Sequence, residues 1–405
     1  MCHPRRLVGY GLTVHLDQRF VWMSAALGAL ATAACLTGAA APAAQPPARM
    51  SAVGGVRLGL TGVQSALLPG APAVPADISA LSWMVSDDGS GAVLAAKNAH
   101  WPLPPASTLK TLFADTVLPR LPANATRRVT DADLAGMGQG SSQVGVVSGQ
   151  TYKVSDLWLG VFLRSGNDAV HVLAAMNGGV PATVADMQAE ARKLGANDTR
   201  VVTPDGYDEP GQVSSAYDLT LFARAGLENP DFARYCSTAV AEFPGGPSTR
   251  GRPFEIDNTD RLLSGIDGVS RYPGLIGVKN GYTTNAGNTL VVGARRGGRT
   301  ILVTLMNPQS GQYDAVYNEA RQLLDWGFAA ESRLRPVGSL DAVVPAVASR
   351  APAVRKAPAR PSVTADADAG PGPVGWSGAV GAVVLAAVAG TVLVLRRRRL
   401  RSLRG

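Results

Sequence analysis

The sequence predicts an α/β (α+β) fold: one antiparallel sheet flanked by helices, with a helical insertion between strands supplied from both ends of a single domain. Three observations carry this. Two short β-rich runs joined by a turn lie between residues 78 and 96. Three more lie between 275 and 306. The stretch between the two groups reads as helices and loops, and a strongly amphipathic segment follows the last strand.

Taken in order, Ile78 to Ser86 and Ala92 to Ala96 flank Asp87-Asp88-Gly89-Ser90-Gly91, which reads as strand, turn, strand. Pro104-Pro105 cannot sit inside a helix but can lead into one, so Thr108 to Val117 reads as a helix closed by Leu118-Pro119. Val154 to Leu163, Asp168 to Met176, Thr183 to Leu194 and Ser215 to Ala225 are further helices, the first two separated by Ser165-Gly166-Asn167. From Leu275 the pattern changes. Leu275 to Val278, Thr289 to Ala294 and Thr300 to Met306 are β-rich, with Arg296-Gly297-Gly298 as the turn between the last two. Tyr313, Val316, Tyr317, Ala320, Leu323, Leu324 and Phe328 then mark one face of a helix.

Around this domain, 77–330, the composition changes. Residues 1–48 read as an export signal: Arg5, Arg6 and Arg19 precede an apolar, small-residue run from Phe20 to Ala41 with Ala-rich cleavage positions. Residues 49–76 are rich in Ala, Pro and Gly without a sustained period and read as a spacer. Residues 331–373 read as a Pro/Ala-rich tether. Residues 374–395 carry no charge over 22 positions, about 33 Å as a helix, enough for a bilayer core. The basic tail 396–405 opens with four arginines. Positive residues stay in the cytoplasm, so the expectation is a cell-membrane protein with a single C-terminal span. Its catalytic domain is extracellular and its C-terminus cytoplasmic.

The charge and cysteine counts exclude other classes. Net charge is +8, but the tail holds six arginines and no acid, leaving 8 − 6 = +2 for the rest. The basic balance reports a tail and gives no reason to expect nucleic acid. Cys2 and Cys35 lie in the leader, so Cys236 stands alone and no disulfide or cysteine zinc site is expected. Of four histidines only His100 and His171 belong to the mature domain, and they lack His-x-x-x-His spacing. No metal site is expected, and His171 reads as a core or capping residue.

The chemistry centres on Ser107-Thr108-Leu109-Lys110. Ser107 falls at a helix start and Lys110 one turn along the same face, so the amine can reach the hydroxyl. A lysine whose charge is disfavoured by burial or by nearby cations can take the serine proton. Of six lysines only Lys110 has a serine three residues before it. The competing reading is a helix cap followed by a solvated lysine. What outweighs it is order: Ser107-x-x-Lys110, then Ser165-Gly166-Asn167, then Lys279-Asn280-Gly281, on a helix start, an inter-helix loop and a strand.

With these three motifs the chain resembles the serine-type D-alanyl-D-alanine carboxypeptidases, the low-molecular-mass penicillin-binding proteins of peptidase family S11, in an actinobacterial form. The stretches Val202-Thr203-Pro204-Asp205-Gly206 and Gly277 to Gly287 share the resemblance, which covers about residues 76 to 330. It implies a β-lactamase/transpeptidase-like fold. It implies that Ser107 attacks the carbonyl between two D-alanines, Lys110 is general base and Ser165 relays a proton to the leaving amine. Asn167 would hold the peptide and help position Lys110. Lys279, a cation at the cleft rim, would attract the terminal carboxylate, and the backbone N–H groups of Ser107 and Tyr282 would form the oxyanion hole. Gly281 would let substrate lie close to the strand. The resemblance implies no cofactor. The implied partners are peptidoglycan stem peptides ending in D-Ala-D-Ala, with β-lactams as covalent inhibitors.

One position departs from the family pattern. Where the family has threonine, this chain has Asn280, whose carboxamide can donate to a carboxylate but cannot relay as a hydroxyl. Two other readings remain. A class A β-lactamase needs a Glu-x-x-x-Asn loop, and no Glu here has Asn four residues later. A non-catalytic cell-wall or β-lactam-binding homologue is favoured only by Asn280.

Overall fold

The structure is a computed structural model and describes residues 45–341. The expected transmembrane helix 374–395 and tail 396–405 lie outside the described residues, as does nearly all of the expected export signal. Among the described residues no helix is long and apolar enough to cross a membrane.

The chain runs β1 (Val63–Ser65), β2 (Ser82–Asp87), β3 (Ala92–Lys97), α1 (Lys110–Val117), β4 (Thr126–Arg128) and β5 (Thr151–Lys153). The helical middle follows as α2 (Val154–Leu163), α3 (Asn167–Met176), α4 (Val180–Lys193), α5 (Ala216–Leu227) and α6 (Pro230–Cys236). Then come β6 (Val240–Phe243), β7 (Phe254–Asp257), α7 (Arg261–Ser264), β8 (Leu275–Thr283), β9 (Gly287–Arg296), β10 (Arg299–Met306), α8 (Ala315–Ala330) and β11 (Gly338–Ser339).

The main sheet is antiparallel in the order β1-β3-β2-β10-β9-β8, with β11 also pairing β3. The β2–β10 pairing, Trp83 opposite Leu305 and Val85 opposite Val303, is the seam where the two ends of the domain join. Side chains alternate across a strand, so a sheet covered on both faces buries both sets. Trp83, Val85, Val292, Val303 and Leu305 pack under α8, which supplies Val316, Ala320, Leu323, Leu324 and Trp326. Met84, Val93, Val291 and Met306 point the other way, into the core made by the helical insertion. The Thr220 and Thr304 hydroxyls, 2.7 Å apart, link α5 to the sheet on this side.

Helix α1 is the axis of the insertion. Lys110, Thr111, Leu112, Phe113, Ala114, Thr116 and Val117 are all buried, so it is wrapped on every side. Pro119 ends it inside a short 3₁₀ turn.

Two expectations about the flanks need correction. Residues 49–76 are not a free spacer: β1 pairs with β3, and Leu58 is buried in the core. Nor does the tether begin at 331. Leu334, Val337 and Leu340 are buried, and β11 pairs with β3. The two flanks also bond to each other, Leu68 N–H to Arg333 O at 2.9 Å and Ser339 N–H to Gly54 O at 2.7 Å. Their apolar residues are single and irregularly spaced, so no period announces them; long-range pairing holds them instead.

Candidate active site

The sequence Pro104-Pro105 forces an extended entry and then a tight turn. Ala106 to Leu109 form a 3₁₀ turn, and the α-helix begins only at Lys110. That differs from the expected helix over 108–117 and improves the geometry. With about three residues per turn, positions i and i+3 eclipse, which puts Ser107 and Lys110 on one line. The Lys110 Nζ to Ser107 Oγ distance is 2.8 Å. The turn is pinned from two sides, because the Pro105 carbonyl accepts from Thr108 Oγ1 at 2.6 Å and from Thr289 Oγ1 of β9 at 2.9 Å. Ala106, directly before Ser107, has φ of 50°, a left-handed value uncommon for a residue with a Cβ.

Lys110 is 1% exposed. Burial pushes its amine down to about 8, against the opposing pull of the Asp205 and Asp168 carboxylates. Its second hydrogen bond goes to the backbone carbonyl of Asp205, at 2.6 Å. That carbonyl comes close because of Gly206: φ there is +81°, and a Cβ would stand 1.9 Å from the Ala106 carbonyl oxygen. Only glycine lets the 202–206 stretch lie against the turn that carries Ser107.

Ser165 and Asn167 sit where α2 gives way to α3. Ser165 has φ of 56°, is buried, and its hydroxyl has no partner. Asn167 donates from Nδ2 to Ser141 Oγ at 3.0 Å, while its buried Oδ1 is unpartnered. The hydrogen bonds of Lys110 go to Ser107 and Asp205, not to Asn167. The Asp168 carboxylate anchors the covering loop, accepting N–H bonds from Val144, Gly145 and Val146 at 2.8 to 3.0 Å.

Strand β8 is the edge of the sheet and passes in front of Ser107. A Cβ at Gly281 would lie 2.7 Å from the Ser107 nitrogen, so the strand and the Ser107 turn approach as backbone to backbone. Ser107, Ser141, Asn167, Gly206 and Tyr282 line a hollow of about 270 Å³. Beyond Tyr282, which is 69% exposed and borders both, Asn280 and Gly281 line a larger hollow of about 940 Å³ with Arg164, Arg261 and Tyr313. A serine hydroxyl beside a buried amine of lowered proton affinity, at an open edge strand, can carry out acyl transfer.

The sequence matches the D-alanyl-D-alanine carboxypeptidase family, Peptidase S11, over residues 69–310. The chain belongs to that family. These are serine-type peptidases, hence hydrolases. The chain is 41% identical over 267 residues to the D-alanyl-D-alanine carboxypeptidase DacB2 of Mycobacterium tuberculosis, covering 65% of this chain and 87% of that protein. It is 33% identical over 266 residues to DacD of Escherichia coli, covering 62% of this chain but only 64% of that longer protein. A crystal structure of a D-alanyl-D-alanine carboxypeptidase from M. tuberculosis superposes with a TM-score of 0.60 at 39% identity, covering 67% of this chain and 99% of that one. The DD-transpeptidase of Streptomyces K15 gives 0.56 at 27% identity, over 64% and 99% of the two chains. The α/β transpeptidase-like fold expected from the sequence is the fold of these neighbours.

Two residues of β8 sit differently from the sequence expectation. Lys279 is not at a cleft rim; it is 1% exposed. The Ser107 turn and α1 cover the strand there, and its amine bonds the Asn280 carbonyl at 2.8 Å and Asn280 Oδ1 at 3.2 Å. Burial and the nearby Lys110 charge push it well below the usual lysine range, while Asp260 pulls the other way. The Asn280 carboxamide is already engaged: Oδ1 accepts from Thr259 Oγ1 and Nδ2 donates to Thr259 O, both at 3.0 Å. To donate to a substrate carboxylate it would have to exchange these partners.

Four residues near the site carried no sequence signal of their own. Ser141 and Thr259 are polar residues in irregular segments, found only by the hydrogen bonds they make. Asp260 is buried, capping α7 through its bond from Leu262 N–H, and burial raises its carboxyl to about 7. Asp205 lay in the 202–206 stretch that marks the family resemblance, but its backbone role could not be read there.

Proposed function

We propose that this family member is a membrane-tethered D-alanyl-D-alanine carboxypeptidase that removes the terminal D-Ala of peptidoglycan stem peptides through a serine acyl-enzyme, and that it is acylated by penicillins. The observation that carries the reading is the 2.8 Å contact between Ser107 Oγ and the buried Lys110 amine. As a free amine Lys110 accepts the Ser107 proton while Oγ attacks the carbonyl carbon between the two D-alanines. The negative oxygen that develops is stabilised by the Ser107 and Tyr282 N–H groups. Collapse breaks the C–N bond, the proton passes through Ser165 to the leaving amine, and D-Ala departs. Water then attacks the ester, with Lys110 again taking a proton, and Ser107 is restored. Asn167, Gly281 and Tyr282 bind and orient the peptide, with Asn280 joining them only by exchanging its Thr259 partners and the buried Lys279 acting from behind the strand.

The sign of the pH dependence follows. The base is competent only as the neutral amine, so acylation rises as pH passes up through about 8. The test of the reading is direct. The purified protein, incubated with a peptide ending in D-Ala-D-Ala, should release free D-Ala stoichiometrically with shortened peptide. Penicillin labelling without D-Ala release would favour a non-catalytic binding homologue. Rapid hydrolysis of penicillin would favour a β-lactamase, which the absence of a Glu-x-x-x-Asn sequence argues against.

Membrane attachment rests on the uncharged run 374–395 and the arginines after it. Protease added to intact cells should remove the catalytic domain while a tag placed after Gly405 stays protected. Protection of the catalytic domain in that assay would reverse the orientation.

A further inference from the structure

We propose that the face built from residues 56–68 and 333–335 is a membrane-docking surface, which lays the domain on the anionic headgroups of the bilayer that holds its anchor. The proposal deepens the membrane attachment above and rests on 374–395 being the span.

Five side chains carry it. Val56, Leu60, Val63, Leu67 and Leu68 are 37 to 78% exposed, and they are five of the eight exposed large apolar or aromatic side chains among the described residues. Single exposed apolar residues are ordinary, whereas a cluster rimmed by polar groups marks a contact surface. In the 3₁₀ turn Val56–Gly59, Leu58 enters the core while Val56 and Leu60, two positions to either side, stay outside. Val63 lies on β1, the outer strand of the sheet. The pieces form one surface because they are laced together. Arg57 Nη2 donates to Ser65 O at 2.7 Å, Leu68 N–H to Arg333 O at 2.9 Å and Arg335 N–H to Ala66 O at 2.9 Å.

Charge selects the partner. Residues 45–70 hold Arg49 and Arg57 and no acid, and residues 332–340 hold Arg333 and Arg335 and no acid. Glu331 and Asp341 bracket the second stretch, and Asp341 is taken by Arg224. Among the described residues none of the four arginines is in an ion pair. Aliphatic side chains set among arginines suit the headgroup level of a bilayer, with guanidinium on phosphate and the apolar groups beneath. A second copy of this chain fits less well, because a symmetric contact would set these arginines against their own counterparts. The chain leaves the described residues beside this face: Ser339 N–H bonds Gly54 O, two residues before Val56. Docking also sets a distance. β8, which passes Ser107, is five strand steps from β1, about 24 Å across the sheet, so the active site stands off the bilayer.

The experiment is hydrogen–deuterium exchange of the full-length protein in nanodiscs of phosphatidylglycerol and in nanodiscs of phosphatidylcholine. Amides of 56–68 should exchange at least about threefold more slowly in the anionic discs, while the turn Arg296-Gly297-Gly298 exchanges alike in both. In about 1 M salt, where the Debye length is about 3 Å, most of that difference should vanish. Arg333→Gln with Arg335→Gln should abolish it, and Val63→Ser with Leu67→Ser should speed exchange of the face in the anionic discs. Thermal unfolding and D-Ala release from a soluble peptide check that the variants fold; if they do not, the unsubstituted protein decides alone. Equal exchange of 56–68 in the two lipids overturns the docking surface. Protection that is equal in both lipids and requires two copies per disc would give the face to a second copy and overturn it as well. Protein that enters neither disc would overturn the span 374–395, and the docking with it.

Discussion

Ser107→Ala should abolish covalent labelling by a fluorescent penicillin and D-Ala release together, while the protein stays folded. The side chain makes one hydrogen bond, to Lys110 Nζ, and a typical hydrogen bond contributes about 0.5–1.5 kcal/mol net to stability. For a domain of this size that is a few degrees at most in the unfolding midpoint, roughly 2–4 °C per kcal/mol. Lys110 keeps its bond to the Asp205 carbonyl. Loss of activity is therefore chemical rather than conformational. Intact-mass and peptide mapping of the labelled protein check it, and a label persisting on another serine of the variant would remove Ser107 from its role.

The second large effect is at Lys110. Lys110→Ala should slow acylation about 10²–10⁴-fold, the usual range for a positioned general base, which is roughly 3–5 kcal/mol on the barrier. The histidine nearest the base, His171, faces Asp205 and Ala135 rather than Ser107, so it does not substitute. Lys110→Arg tests charge against proton transfer. A guanidinium keeps the positive charge but does not give up its proton in this range, and it should be as slow as alanine. Stopped-flow acylation with a chromogenic cephalosporin reads both. Near-normal rates in the arginine variant would mean that Lys110 contributes only its charge.

The strand groups at 78–96 and 275–306, the helices between them and the amphipathic segment after them were legible because each has a period that burial imposes. The three motifs were legible for a different reason: they fall in chemically distinctive residue types whose order is informative. What stayed hidden depends on contacts between distant segments. Ser107 sits in a 3₁₀ turn because Thr289 on β9 bonds the Pro105 carbonyl, and no local pattern announces that. Lys279 looks like a surface cation in sequence and is buried because the turn carrying Ser107 lies over its strand. Asn280 looks like a substrate donor and is found bonded to Thr259, 21 residues away in the chain. Leu58 and Leu340 look like stray apolar residues in low-complexity flanks, yet each fills a place at the β3 end of the sheet.

That end of the sheet also decides how the domain bears mechanical load. The Ser339 N–H and Leu340 N–H bonds to Gly54 and Gly91, β11 beside β3, and the Arg224–Asp341 ion pair are the last contacts of the described chain. A pull transmitted along the chain from beyond residue 341 strains this clasp first. Between it and the strand facing Ser107 stand β2, β10 and β9, each held by a full antiparallel ladder. The two-residue β11 thus lies at the opposite end of the sheet from β8, and the 2.8 Å contact between Ser107 and Lys110 is separated from it by those ladders.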